Sequence, residues 1–252
     1  MVALRMSETQ NFDYGTFPVR EDIRTAHWAL WRHIAAPGTW WTGAERVAIA
    51  GEARHADDCE FCAARKSALS PAAVRGEHQS VSTLRHDVID VIHRVRTDPA
   101  RLSRFWFDAV ITGGLDVGPY AELLGIVTMI TGVDYFARSL GVERFPLPEP
   151  QPGEPSRHVP ASAKWGTAWV PMIAPEDASG PEADLYPPAA MIPNIVRALS
   201  VVPSEVRMLQ IMASTHYLRI EQIPDPTARR ALDRMQMELV AARVSALNQC
   251  FY

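Results

Sequence analysis

The 252-residue chain predicts an all-α fold, and three observations predict it. Apolar residues recur at helical spacing, the segments that carry them open on capping signals or proline and close on glycine, and no run alternates apolar and polar residues as a half-buried strand does. A first helix is expected over 23–35, with Trp28, Leu30, Trp31 and Ile34 as its apolar contribution. Thr42-Gly-Ala-Glu45 reads as a capping box opening a second helix that runs to about Arg54. Asp57-Asp58 then precedes Cys59-Glu-Phe-Cys62, which places a dithiol at the start of a third helix. The stretch 84–96 is amphipathic, with Val88, Ile89, Val91 and Ile92 facing inward. Asp98-Pro99 ends it and starts the next, through Phe105 and Phe107 to Gly113-Gly114. Pro119 opens a long helix that closes at Gly141, a natural C′ residue.

From 142 to 188 the texture changes. Eleven of the twenty prolines fall there, too many for a helix, so an extended arm is expected. Trp165, Trp169, Val170 and Ile173 predict that the arm is partly packed. Helices resume over 191–200, from Pro203 to about Tyr217, and over 233–247, where Asp233-x-x-Gln236 is another capping box. The organisation is a helical unit over 1–141, a connector over 142–188 and a second helical unit over 189–252. The two units look like distant copies. Glu45-Arg-Val-Ala-Ile-Ala-Gly-Glu-Ala-Arg leads into Cys59 much as Glu238-Leu-Val-Ala-Ala-Arg-Val-Ser-Ala-Leu leads into Cys250, with two extra residues in the first.

Bulk properties exclude several classes of function. A net charge of −4 and a pI near 6.1 give no footing for nucleic acid or an anionic membrane. The apolar stretch 120–137 is interrupted by Glu122, Gly125, Gly132 and Asp134, as a buried helix is and a membrane span is not. Residues 1–15 hold no apolar signal core, so a cytoplasmic location is expected. In that reducing compartment a Cys-x-x-Cys pair is catalytic or metal-binding more often than a structural disulfide.

At a helix start such a pair suits thiol redox chemistry. The spacing puts the Cα atoms within the roughly 4.4–6.8 Å that a disulfide tolerates, and the helix N-terminus favours a thiolate. Glu45 and Glu52 precede the pair, Glu52 two turns before Cys59 on the same face, and His55 lies between. His86 and His93 share a face seven residues apart, and any of these histidines is a candidate proton relay. Glu45 is equally a partner in its own capping box. A metal reading exists through His55-x3-Cys59-x2-Cys62, but zinc takes four ligands and no second cysteine pair is present, so no metal is expected. No haem, flavin or nucleotide motif is visible, and no cofactor is expected.

Glu238, eleven residues and Cys250 at the end of the chain, with the earlier Cys59-x-x-Cys62, resemble the alkylhydroperoxidase D/carboxymuconolactone decarboxylase family, whose motif runs Glu, eleven residues, Cys-x-x-Cys, three residues, His. Asn194-Ile-Val-Arg-Ala-Leu-Ser-Val-Val-Pro203 is similar to the segment before the catalytic helix, and Tyr120-Ala-Glu-Leu-Leu-Gly through Phe136-Ala-Arg-Ser-Leu-Gly141 to the helix after the dithiol. The resemblance implies an alkylhydroperoxidase D-like helical bundle built as a duplicated unit. It also implies a peroxidase that reduces hydroperoxides through Cys59 and Cys62, and through Cys250 in a complete second copy, with Glu45, Glu52, His55 and Glu238 as acid–base candidates. A lipoylated or thioredoxin-like dithiol reductant and a homo-oligomer are the implied partners. Two departures stand out. Lys66 occupies the first copy's relay-histidine position, and the second copy's remaining cysteine and histidine would lie past Tyr252. Readthrough of a UGA codon, with selenocysteine three residues after Cys250, is one expectation for that copy. Alternatives are a lactone decarboxylase-like acid–base enzyme and an inactive helical interaction module.

Overall fold

The computed structural model describes residues 12–166, 168–188, 191–248 and 250. The leaderless reading of residues 1–11 and the last two residues of the C-terminal motif lie outside them. Nine α-helices carry the described fold: α1 (Glu21–Ala35), α2 (Gly43–His55), α3 (Glu60–Ser67), α4 (His86–Thr97), α5 (Arg104–Thr112), α6 (Val117–Ser139), α7 (Asn194–Arg197), α8 (Pro203–His216) and α9 (Arg234–Leu247). Among the described residues there is no strand, only an isolated antiparallel bridge between Lys164 and Met172. The protein is all-α, and its core lies where α1, α2, α4 and α8 gather around α6.

Helix α6 is central because it is apolar on nearly every face, and such a helix is stable only inside. No described helix is long and apolar enough to cross a membrane. Its two interrupting acids are neutralised by arginines of α2. Arg54 grips Asp134 with a two-pronged pair, at 2.8 and 2.7 Å. Arg46, fully buried, bonds Glu122 and also reaches Glu205 of α8 at 3.1 Å. His33 of α1 closes the cluster, with Nε2 2.8 Å from Glu205 and its carbonyl accepting from Arg46 at 3.0 Å. Gly125 admits Glu205 to this position, since a Cβ there would collide with the glutamate side chain. One guanidinium thus joins α1, α2, α6 and α8.

The expected helices form with small shifts at their ends, except that Pro99 opens only a 3-10 turn to Arg101 and α5 starts afresh at Arg104, capped by Ser103. The capping boxes at Thr42/Glu45 and Asp233/Gln236 are both made. Val88, Ile89, Val91 and Ile92 are buried, as are Leu30, Trp31 and Ile34. The helix expected over 191–200 shrinks to Asn194–Arg197. Pro193 caps it from the front and restricts the residue before it to extended backbone, so the helix cannot reach back. Among the described residues the 142–188 arm contains no α-helix, but it is strapped to the body. Gln151, Ser156 and Arg157 donate their N–H groups to the carbonyls of Ala35, Gly38 and Thr39, and Ile173 donates to Ser200 Oγ. Val170 and Ile173 are buried and Trp169 packs on the core, whereas Trp165 is exposed.

A second buried polar group ties the middle of α1 to the C-terminal end of α8. His27, fully buried among Phe12, Tyr14 and Phe136, bonds the Tyr14 hydroxyl through Nδ1 and faces His216 Nε2 at 2.7 Å. Burial, with His216 stacked against the ring, pushes its pKa down to about 3.

Two outcomes are expected. Arg46→Leu leaves Glu122 and Glu205 buried without their cation and lowers unfolding free energy by about 3–5 kcal/mol, measured by urea denaturation. Because His27 is neutral in the folded protein but titrates near 6.5 once unfolded, the unfolded chain binds the extra proton. Stability therefore falls as pH drops below about 6.5, by up to about 1.4 kcal/mol per pH unit for that proton. His27→Phe removes that component, so over pH 6.5 to 5 the stability of the variant rises relative to wild type.

Candidate functional site

The 3-10 turn Ala56–Asp58 reverses the chain after α2 and delivers Cys59 to the N-cap position of α3, with Cys62 in its first turn. Both are buried free thiols. The irregular segment 68–85 that follows α3 brings back His78, and the buried face of α4 supplies His93. Cys62 Sγ lies 3.2 Å from His93 Nδ1 and 3.5 Å from His78 Nδ1, while Cys59 Sγ lies 3.6 Å from His78 Nδ1. These four donor atoms all lie within 4.8 Å of one another.

Each histidine is held from behind by a carboxylate. Glu52 Oε2 is 3.1 Å from His93 Nε2, and Asp90 Oδ1 is 2.9 Å from His78 Nε2. An ionised carboxylate only accepts, so both Nε2 atoms carry their protons and both Nδ1 lone pairs face the sulfurs. Glu52 is fully buried, and Ser80 Oγ (2.6 Å) and Val81 N–H (2.9 Å) donate to its other oxygen. Arg65 of α3 ion-pairs with Asp90 and lies over the Phe61 ring.

The electrostatics differ between the two cysteines. Burial opposes ionisation of Cys59, but the backbone N–H groups of Cys62 and Gln79 and the His78 ring outweigh it and lower its pKa. Burial, reinforced by the neighbouring Cys59, pushes the Cys62 thiol up to about 12. Burial also works against charge on His78, yet Asp90 and Cys59 raise its pKa on balance. His93 is lowered by burial, which Glu52 only partly counters. Against its own burial, Asp90 is drawn down to about 2 by His78 and Arg65. Glu52 is likewise lowered, by the hydroxyls, the His93 ring and the Val81 amide that bond it.

Of the residues singled out from sequence, the structure brings together Cys59, Cys62 and Glu52. His93 becomes the histidine that meets them, whereas His86 is exposed. Glu45 is taken up by Thr42 in the capping box at the opposite end of α2. His55, the third ligand of the sequence-based metal reading, lies outside the four-donor cluster; its ring is 6.2 Å from that of His93 and its buried Nε2 has no partner. Glu238 pairs with Arg234 at 2.7 Å and receives the Tyr217 hydroxyl, and Cys250 is exposed beyond α9. His78, Asp90 and Ser80 were not expected. Comparison of the chain with protein-family models, with curated proteins and with solved structures finds no match.

Burial separates the three thiols. Under native conditions at neutral pH, iodoacetamide is expected to label Cys250 at the rate of a free thiol. Cys59 and Cys62 are labelled at that rate only after unfolding; peptide mass mapping of a time course reads the difference.

Proposed function

We propose that the protein is a peroxidase-like thiol–disulfide oxidoreductase that reduces hydroperoxides through Cys59 and Cys62. The observation that carries the reading is that each sulfur faces the Nδ1 of a histidine whose Nε2 is fixed by a carboxylate. Two proton relays, Cys59–His78–Asp90 and Cys62–His93–Glu52, serve the two halves of one reaction. In the first, His78 Nδ1 takes the Cys59 proton and the resulting thiolate attacks the terminal peroxide oxygen. The O–O bond breaks, the alkoxide leaves with a proton from His78, and Cys59 becomes a sulfenic acid. In the second, His93 accepts the Cys62 proton and the new thiolate attacks the Cys59 sulfur. The S–S bond forms, and the departing hydroxide takes a proton to become water. Overall, two thiols and one hydroperoxide give a disulfide, an alcohol and water, and an external dithiol restores the thiols. The resemblance noted above favours the same chemistry, with His93 from α4 standing in for the relay histidine that Lys66 displaces.

The test treats the native Cys250→Ser protein with one equivalent of hydrogen peroxide and counts thiols in denaturant before and after. Two thiols per chain are expected to disappear and to return with dithiothreitol, whereas the single thiol left in Cys59→Ser is expected to persist. His93→Gln is expected to slow disulfide closure by roughly 10²–10⁴-fold, leaving a sulfenic acid that dimedone traps. Unchanged thiols in the metal-free wild-type pair would sink the reading.

A further inference from the structure

The four donors around the dithiol have a second chemistry, because two sulfurs and two imidazole lone pairs converging on one point are also a metal-ligand set. A tetrahedral zinc ion, with Zn–S near 2.3 Å and Zn–N near 2.0–2.1 Å, holds its sulfur and nitrogen ligands roughly 3.5 Å apart. The sulfur–nitrogen separations here are 3.2, 3.5 and 3.6 Å. Both histidines also have the outer partners of metal-ligating imidazoles: Nε2–H is donated to Asp90 in one and Glu52 in the other, which fixes Nδ1 as the ligating atom. The carboxylates are themselves satisfied, Asp90 by Arg65 and Glu52 by Ser80 and Val81. Cys59, Cys62 and His93 are buried, and the His78 side chain is 7% exposed. No open coordination position is left for a substrate, as in a structural rather than a catalytic site.

We infer that Cys59, Cys62, His78 and His93 bind one zinc(II) ion when the dithiol is reduced. Thiolate and imidazole donors select zinc over magnesium, calcium or manganese. The ion staples the 68–85 segment, which has little regular structure, to α3 and α4, so binding orders the loop that carries His78. The site stands on its own donor geometry; its response to peroxide rests on the redox reading above. Two zinc-bound thiolates give one electron each to hydrogen peroxide and the S–S bond forms. The O–O bond breaks, its oxygens leave as two waters with two protons from the medium, and zinc departs as the dication, its sulfur ligands gone.

The experiment uses the full chain, reduced, stripped with a chelator and kept anaerobic. Cobalt(II) is expected to bind at one equivalent per chain with tetrahedral d–d bands and thiolate charge transfer, and zinc is expected to displace it. Cys62→Ser and His78→Ala should abolish the bands. Glu52→Gln and Asp90→Asn should keep them but weaken zinc binding by about 10–100-fold. His55→Ala should keep both stoichiometry and spectrum. Far-UV circular dichroism checks that each variant is folded, and if Cys62→Ser is not, His78→Ala in the loop carries the test. Absence of a tetrahedral cobalt spectrum, its survival in the Cys59→Ser/Cys62→Ser double variant, or its loss in His55→Ala would overturn this ligand set. Peroxide on the zinc-loaded protein should release one zinc for every two thiols lost, read with a chromophoric chelator. Thiol loss in the metal-free protein without zinc binding by the reduced form removes the metal site and keeps the redox reading. Zinc binding without peroxide-dependent thiol loss in the metal-free protein does the reverse.

Discussion

Everything at the dithiol depends on one buried carboxylate. Glu52 has no exposed surface, and a carboxylate in that position is stable only if its lone pairs are filled. Ser80 and Val81 fill one oxygen and His93 the other. The first two bonds pull the 68–85 segment down over α2. The third orients the α4 imidazole so that its free nitrogen meets Cys62. Meeting the hydrogen-bond demand of a single side chain therefore places a loop and sets a tautomer.

That demand can be met only because α2 is itself fixed. At one end Arg46 is locked to α6 and α8 through two carboxylates, and at the other Arg54 is locked to Asp134. Buried ion pairs of this kind add little to stability against an apolar alternative, since desolvation nearly cancels the attraction. Their effect here is on register. A guanidinium with two carboxylate partners on two different helices admits few relative positions of α2, α6 and α8, and Glu52 lies between the two arginines. The polar core thereby transmits a fixed geometry to the dithiol.

The sequence carried much of this, unevenly. Helices opened by capping boxes or by proline were legible because those signals are local, as at Thr42/Glu45, Asp233/Gln236 and Pro203. Cys59 and Cys62 were legible from their spacing, and Glu52 from its two-turn offset. His93 stood among several equal candidates, because choosing between it and His86 requires knowing which face of α4 is buried against α2 and α3. His78 had no signal at all. It lies in an aperiodic stretch, and only the fold of 68–85 over Glu52 brings it to the sulfurs. The carboxylates near the dithiol were also mis-weighted. Glu45 satisfies its own helix cap, while Asp90, across the site on α4, had no sequence signal to single it out.

The two chemistries proposed for the site are linked by a shared atom pair. His78 Nδ1 and His93 Nδ1 each offer one lone pair, and a lone pair that binds zinc cannot also accept a thiol proton. Sulfurs held by the metal lose nucleophilicity, and imidazoles held by it cannot serve as bases, so zinc switches off both proton relays at once. Metal and peroxide then compete for one reduced dithiol, and metal occupancy sets how fast it can be oxidised. The carboxylates behind the histidines act in the same sense in either state, since an acceptor on Nε2–H raises the basicity of Nδ1 toward a proton and toward zinc alike. Under these proposals one arrangement serves both chemistries, because the spacing that lets each Nδ1 take a thiol proton is also the spacing of metal ligands.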